Sequence, residues 1–216
     1  MTATAAATVD ARSLELELLD PNSERLVRLF RHLGGEWEPP EETYRNLRVD
    51  PPGGHKAAYA VLYTGSTLPA VAMECRVLNA DDRDRYTWDV GRAGQYQVVR
   101  YTFAAPALFI PIDGRNRPLL GLSGGQRQFA GYAPYQDAAF QLFRRFGQLA
   151  HGLSWESFHR SQPGRVYAIW HHQKATLELK PGPSPHLKLV DDEEWKSFLA
   201  ENPDIEAMEP MPPPLA

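Results

Sequence analysis

Residues 48–74 read RVDPPGGHKAAYAVLYTGSTLPAVAME, and the pattern changes from turn to strand to helix within this one stretch. Pro51, Pro52, Gly53 and Gly54 are turn formers. Residues 58–63 are an apolar run of strand length, and residues 68–73 have the alanine-rich look of a helix start. Tyr63 then closes the strand, and Glu74 lies on the helix behind it. The unit brings an arginine (Arg48), a tyrosine and a carboxylate together in mostly apolar surroundings, a set suited to an anionic, aromatic ligand.

Outward from this unit the periodicity keeps switching. Leu26, Leu29, Phe30 and Leu33 recur at helical spacing between Ser23, a capping residue, and Gly34, so pattern alone predicts a helix over residues 23–33. Residues 96–103, 107–112, 166–170 and 175–179 read as strands. Residues 136–149 place Ala139, Phe140, Phe143, Phe146 and Leu149 on one helical face, with Pro134 just before and Gly152 as a stop. Residues 191–200, acidic first and then carrying Trp195, Phe198 and Leu199, predict a short helix. Mixed periods of this kind predict an α+β fold, with helices packed on small, bent mixed sheets. We read one domain over residues 23–200, a flexible lead over 1–22 and a loose, proline-rich tail over 201–216.

The 216 residues are 43% hydrophobic, enough for one substantial core. A net charge of −4 gives no broad electrostatic case for nucleic acid. The one cysteine, Cys75, excludes an intramolecular disulfide and a multi-cysteine zinc site, and reads as a small buried residue following Glu74. No apolar run is long enough to span a bilayer and no basic-then-apolar leader opens the chain, so a cytoplasmic protein is expected. His171 and His172 are adjacent on a predicted strand and point to opposite faces, which predicts no metal site. Residues 121–126, GLSGGQ, lack the lysine that a phosphate loop requires and read as a loop.

Several segments together resemble the RES-domain family, best known for the toxins of RES/Xre toxin-antitoxin pairs. They are Leu29-Phe30-Arg31, Arg48-Val49-Asp50-Pro51-Pro52, Leu62-Tyr63, Ala70-Val71-Ala72-Met73-Glu74, and Gly152-Leu153-Ser154-Trp155-Glu156-Ser157. The resemblance covers residues 26–172 and carries two departures: Val49 stands where the family has an aromatic, and the interval from Glu74 to Ser157 is long, which predicts an inserted loop around residues 81–95. It also asks for a strand near Arg31, against the helix that periodicity predicts there.

The resemblance implies an ADP-ribosyltransferase-like fold with an NAD-binding cleft, NAD as substrate rather than resident cofactor, and a neutralising Xre-type antitoxin or immunity protein as partner. Cleavage of the nicotinamide–ribose bond passes through an oxocarbenium-like state, so a carboxylate near the ribose is needed. Glu74 takes that role in the family reading, with Arg31 and Ser157 as its catalytic companions. By residue type alone Glu74 is a surface glutamate paired with Arg76 or Lys56. Arg48 fits a fork onto phosphate oxygens, with Arg45 as a nearby competitor; taken alone, each is a solvated arginine. Tyr63 either stacks on the nicotinamide or is a core tyrosine. Ser157, expected in a turn after a helix, holds the nicotinamide carboxamide or a phosphate, since no nucleophile elbow surrounds it.

The implied activity is NAD degradation by glycohydrolysis or phosphorolysis, with growth inhibition by NAD depletion. Two other readings stand beside it: a protein ADP-ribosyltransferase, and a non-catalytic binding module or secreted effector of the same fold. The absence of a second glutamate two residues from Glu74 favours degradation over arginine-directed transfer.

Overall fold

The computed structural model describes residues 13–21, 25–122, 131–160 and 163–208. In the 48–74 stretch the strand β3 spans Val61–Gly65 rather than beginning at residue 58. The carbonyls of Lys56 and Tyr59 accept from the Arg45 guanidinium, and the Tyr59 hydroxyl donates to Val49 O at 2.9 Å, so this backbone is engaged with the preceding loop. Tyr63 therefore sits mid-strand. Helix α1 (Leu68–Glu74) follows at once, capped by Thr67, whose side chain accepts from Ala70 N. Leu68, Ala70, Val71 and Ala72 are buried along it.

The remaining elements, in chain order around these, are β1 (Glu17–Leu19), β2 (Leu26–Phe30), β4 (Leu78–Ala80), β5 (Tyr86–Asp89), α2 (Val90–Ala93), β6 (Gln97–Thr102), β7 (Ala107–Pro111), α3 (Asn116–Leu119), α4 (Ala133–Phe146), β8 (Gly152–His159), β9 (Pro163–Trp170), β10 (Lys180–Pro181), α5 (Glu193–Glu201) and β11 (Glu206–Met208). The fold is α+β, as expected. A large sheet runs β1-β7-β8-β9-β3-β2-β6-β10, antiparallel throughout except for β7 and β8, and a small one runs β11-β5-β4.

Alternation along the central strands divides the core. Leu62, Tyr167 and Ile169 face one side with Phe109 and Tyr101. On the other side Val61, Ala168 and Trp170 pack with Ala139 and Leu142 of α4. Beside them α1, the small sheet and Trp195 of α5 cover Val27, Leu29 and Val98. Two close approaches require glycine. A Cβ on Gly152 would lie 2.1 Å from Ala168 O, and one on Gly65 would lie 2.8 Å from Val71 Cγ2. These let β8 meet β9, and α1 fold back over β3.

Four sequence expectations are corrected. The helix predicted over 23–33 is the strand β2, while Ser23 lies outside the described residues. All five residues of β2 are buried, Arg28 among them, so the strand shows no period-two alternation, and its apolar positions also satisfy helical spacing. Leu33, which a helical face would have buried, is fully exposed. Residues 175–179 form turns, not a strand: Leu177 N donates to Gln173 O and Leu179 N to Lys174 O, with Glu178 at φ 50°. His171 and His172 open a short 3-10 helix, His171–Lys174, instead of lying on a strand. The region 81–95 is a hairpin turn, β5 and α2 rather than a loop.

The terminal segments also carry structure. β1 lies within the predicted lead and is anchored by Glu17, which accepts from Ser154 Oγ (2.5 Å), Arg165 Nε (3.1 Å) and the Tyr167 hydroxyl (2.8 Å). β11 lies within the predicted tail and pairs in parallel with β5. The predicted helix 136–149 is shifted to α4, with Pro134 inside its first turn and Gly147 as its C-cap. Residues 123–126 of GLSGGQ lie outside the described residues. Among the described residues no helix is long and apolar enough to cross a membrane.

Candidate functional site

The last residue of α1 faces strand β8. Trp155 and Ser157 are two apart on β8, and both side chains reach the end of α1. Their donors converge on one oxygen: Trp155 Nε1 donates to Glu74 Oε1 at 3.1 Å, and Ser157 Oγ donates to the same atom at 2.5 Å. The second is a short, charge-assisted bond. The β8–β9 register slips between Glu156 and Phe158, which makes Ser157 the extra residue of a bulge, a device that re-aims a side chain. Ser157 is thus on a strand, not in the predicted turn. Glu74 Oε2 has no hydrogen-bond partner among the described residues and is available to a ligand hydroxyl.

Arg48 approaches from the loop before β3, and that loop is pinned on both sides of it. Asp50 accepts from Leu47 N (2.7 Å) and from the Tyr63 hydroxyl (3.1 Å), Val49 N donates to the Tyr63 oxygen (3.3 Å), and Gln136 Nε2 donates to Leu47 O (2.9 Å). Burial raises the Asp50 pKa, partly offset by the bonds from Leu47 N and Tyr63, and burial also pushes the Tyr63 hydroxyl well up. The Arg48 guanidinium carbon lies 5.3 Å from the Tyr135 ring centre, 5.5 Å from Trp155 and 5.8 Å from Tyr132. Such an aromatic box favours a cation. Its Nε is buried with no hydrogen-bond partner, an orphan donor where nearly all buried donors are satisfied.

These groups border a cleft of about 170 Å³. Arg48, Glu74 and Ser157 line it with Tyr132, Glu156 and Arg76. Three of the six residues expected at the site are therefore together. The other three are elsewhere. Arg31 is exposed just past β2 and sits over the Tyr96 ring at 5.9 Å. Arg45 is tied to the carbonyls of Pro40, Lys56 and Tyr59, a structural clasp. Tyr63 spends its hydroxyl on Asp50 and turns its ring edge-on to Trp155 at 6.2 Å, so it supports the Arg48 loop from beneath.

Neither surface partner considered for Glu74 takes it: Lys56 Nζ donates to Arg45 O, and Arg76 makes no ion pair among the described residues. The arginine held inside the first part of the fold is Arg28, whose Nε donates to Gly35 O (2.9 Å) and whose Nη1 donates to Tyr63 O (3.1 Å); burial lowers its pKa.

Sequence reading missed Trp155, Tyr132, Tyr135 and Arg76. Period-two alternation before Ser157 is the signal that marks Trp155. The tyrosines reach Arg48 only through the tertiary placement of α4, which no local pattern encodes.

No family model matches the chain, and no curated protein matches it. Among solved structures it is similar to a chain in the crystal structure of the M. tuberculosis MbcT-MbcA toxin-antitoxin complex, at 14% sequence identity over 82% of this chain and 89% of that one, with a TM-score of 0.45.

Proposed function

We propose that this chain is an NAD-degrading toxin of the RES type that breaks the nicotinamide–ribose bond in the Glu74 cleft. The observation that carries the reading is the Glu74 carboxylate, with one oxygen held by Trp155 and Ser157 and the other open, in the same cleft as an arginine with an unsatisfied buried donor. The sequence resemblance supplies the substrate, and the chemistry follows from the groups present.

As the bond from ribose C1′ to the ring nitrogen breaks, its electron pair passes to nicotinamide, which leaves neutral. A cationic leaving group of this kind needs no general acid, so one carboxylate serves where glycoside hydrolysis uses two. Positive charge develops at C1′ and on the ring oxygen, and the fixed Glu74 carboxylate stabilises it. The Ser157 hydroxyl and the Trp155 indole N–H hold that carboxylate in place, so little reorganisation is required as charge develops. The Tyr132 ring offers a surface for the nicotinamide, and Arg48 a fork for phosphate. A volume of about 170 Å³ suits the nicotinamide end of the dinucleotide rather than the whole molecule. Water then adds at C1′ and releases a proton to solvent, or inorganic phosphate adds through one of its unprotonated oxygens.

Loss of cellular NAD stops growth, which makes a neutralising Xre-type antitoxin or immunity protein the expected partner and the cytoplasm the expected place of action. The test is NAD consumption by purified protein in phosphate-free and phosphate-containing buffer, with products resolved by mass spectrometry. ADP-ribose names water as the acceptor, and its phosphorylated form names phosphate. Intact NAD in both buffers refutes degradation.

A further inference from the structure

Arg76 is placed at the cleft by an unusual backbone. It follows the Cys75 C-cap of α1 with φ 56°, in the left-handed region. Arg76 N donates to Met73 O at 3.0 Å and Val77 N to Ala72 O at 2.9 Å, the turn that closes a helix end. Glycine ordinarily occupies such a position, because a Cβ is strained there. Here the chain holds an arginine in that conformation, and strained non-glycine residues cluster where a side chain is needed for function.

The guanidinium has no structural employment among the described residues. It is exposed, makes no hydrogen bond or ion pair, and does not engage Glu74 two residues away, whose Oε1 is already taken by Trp155 and Ser157. A basic residue complements the C-terminal dipole of a helix, but the same complement is available within the last turn at no backbone strain. Arg76 instead lines the cleft that also contains Arg48, whose buried Nε lacks a partner. Two guanidinium groups with donors to spare border one small space. Planar forks of this type match the paired oxygens of phosphates.

We infer that Arg76 and Arg48 form a two-arginine clamp for the pyrophosphate of a dinucleotide, and that Arg76 fills the second phosphate-binding position that Arg45, tied to backbone carbonyls, does not reach. The identity of the dinucleotide rests on the NAD reading; the clamp itself does not.

The test is calorimetric titration of inorganic pyrophosphate and of ADP into wild-type protein, Arg76→Gly and Arg76→Lys, with the kcat/KM ratio for NAD over nicotinamide riboside measured in parallel. Arg76→Gly removes the fork while giving the turn its natural residue, so its melting temperature is expected to be no lower than wild type. Its affinity for both anions falls about tenfold or more, the order expected for losing a charged hydrogen-bonding partner. The NAD over riboside ratio falls with it, because only NAD carries phosphate. Arg76→Lys, a point charge without the fork, recovers only part of the loss. Unchanged pyrophosphate affinity in folded Arg76→Gly overturns the clamp even if NAD is cleaved. Wild-type protein that leaves NAD intact but binds pyrophosphate, with that binding lost in Arg76→Gly, upholds the clamp and removes the cleavage reading.

Discussion

The buried Trp155 side chain contacts two of the residues that line the cleft. Its indole N–H fixes Glu74, and its ring lies 5.5 Å from the Arg48 guanidinium. Trp155→Phe separates these roles, since phenylalanine keeps a ring beside Arg48 but cannot donate. The expected result is a fall in kcat of about tenfold, the equivalent of one lost hydrogen bond to a charged group, with KM little changed. A rise in KM at constant kcat would instead make Trp155 a substrate-binding surface. At this scale the meeting of Glu74, Ser157 and Arg48 in one cleft was legible, because the resemblance sets those residue types at fixed spacings. Arg31 and Arg45 were placed at the site by the same reasoning, yet the fold sends one to solvent over Tyr96 and uses the other to clasp carbonyls. Nothing in sequence separates an arginine that binds phosphate from one that binds backbone, because the same donors serve both.

The site depends on how closely β8 runs against β9. Gly152 begins β8 opposite Ile169, and its missing Cβ leaves room for Ala168 O. Gly152→Ala therefore forces the strand that carries Trp155 and Ser157 away from its neighbour. We expect a loss at the upper end of about 1–3 kcal/mol, the usual cost of overpacking, seen as a lower urea midpoint. An unchanged midpoint would show that the strands separate without penalty. Elements whose pattern matches their exposure were readable: α1 has a cap and a buried face, and β6 and β7 lie within a residue of the predicted bounds. β2 was not, since burial on both faces erases the alternation that marks a strand. Residues 175–179 failed for the opposite reason. Leu177 and Leu179 are buried and two apart, so a turn held by backbone bonds to Gln173 and Lys174 imitates strand alternation.

Across the whole molecule, switching periods sufficed to predict α+β, but the strand order that unites the cleft did not follow from them. Ser157 and Glu74 are 83 residues apart and meet only because β8 inserts between β7 and β9, opposite the end of α1. The far side of the sheet is tied down by Asp192, which caps α5 and receives two bonds from Arg100 of β6, at 2.9 and 2.8 Å. Burial opposes ionisation of Asp192, but the Arg100 bonds and the amides of Trp195 and Glu194 together hold its pKa below the ordinary 3.8. A carboxyl depressed in the folded state contributes stability above its unfolded pKa and loses it as pH falls through the folded value. Asp192→Asn should therefore be less stable than wild type at pH 7, with the difference in melting temperature closing below about pH 4. A gap that stays constant with pH would assign Asp192 a cap role without its charge.

The central claim is that the Glu74 carboxylate drives cleavage of the nicotinamide–ribose bond, and nicotinamide release from NAD by wild-type protein and by Glu74→Gln tests it most directly. The amide keeps the size and can still accept from Trp155 and Ser157, so the fold is expected to be retained. The account predicts nicotinamide release by the wild type and a loss of about 100-fold or more in the variant, the scale of removing a preorganised electrostatic group. Comparable release by a folded Glu74→Gln protein would contradict it.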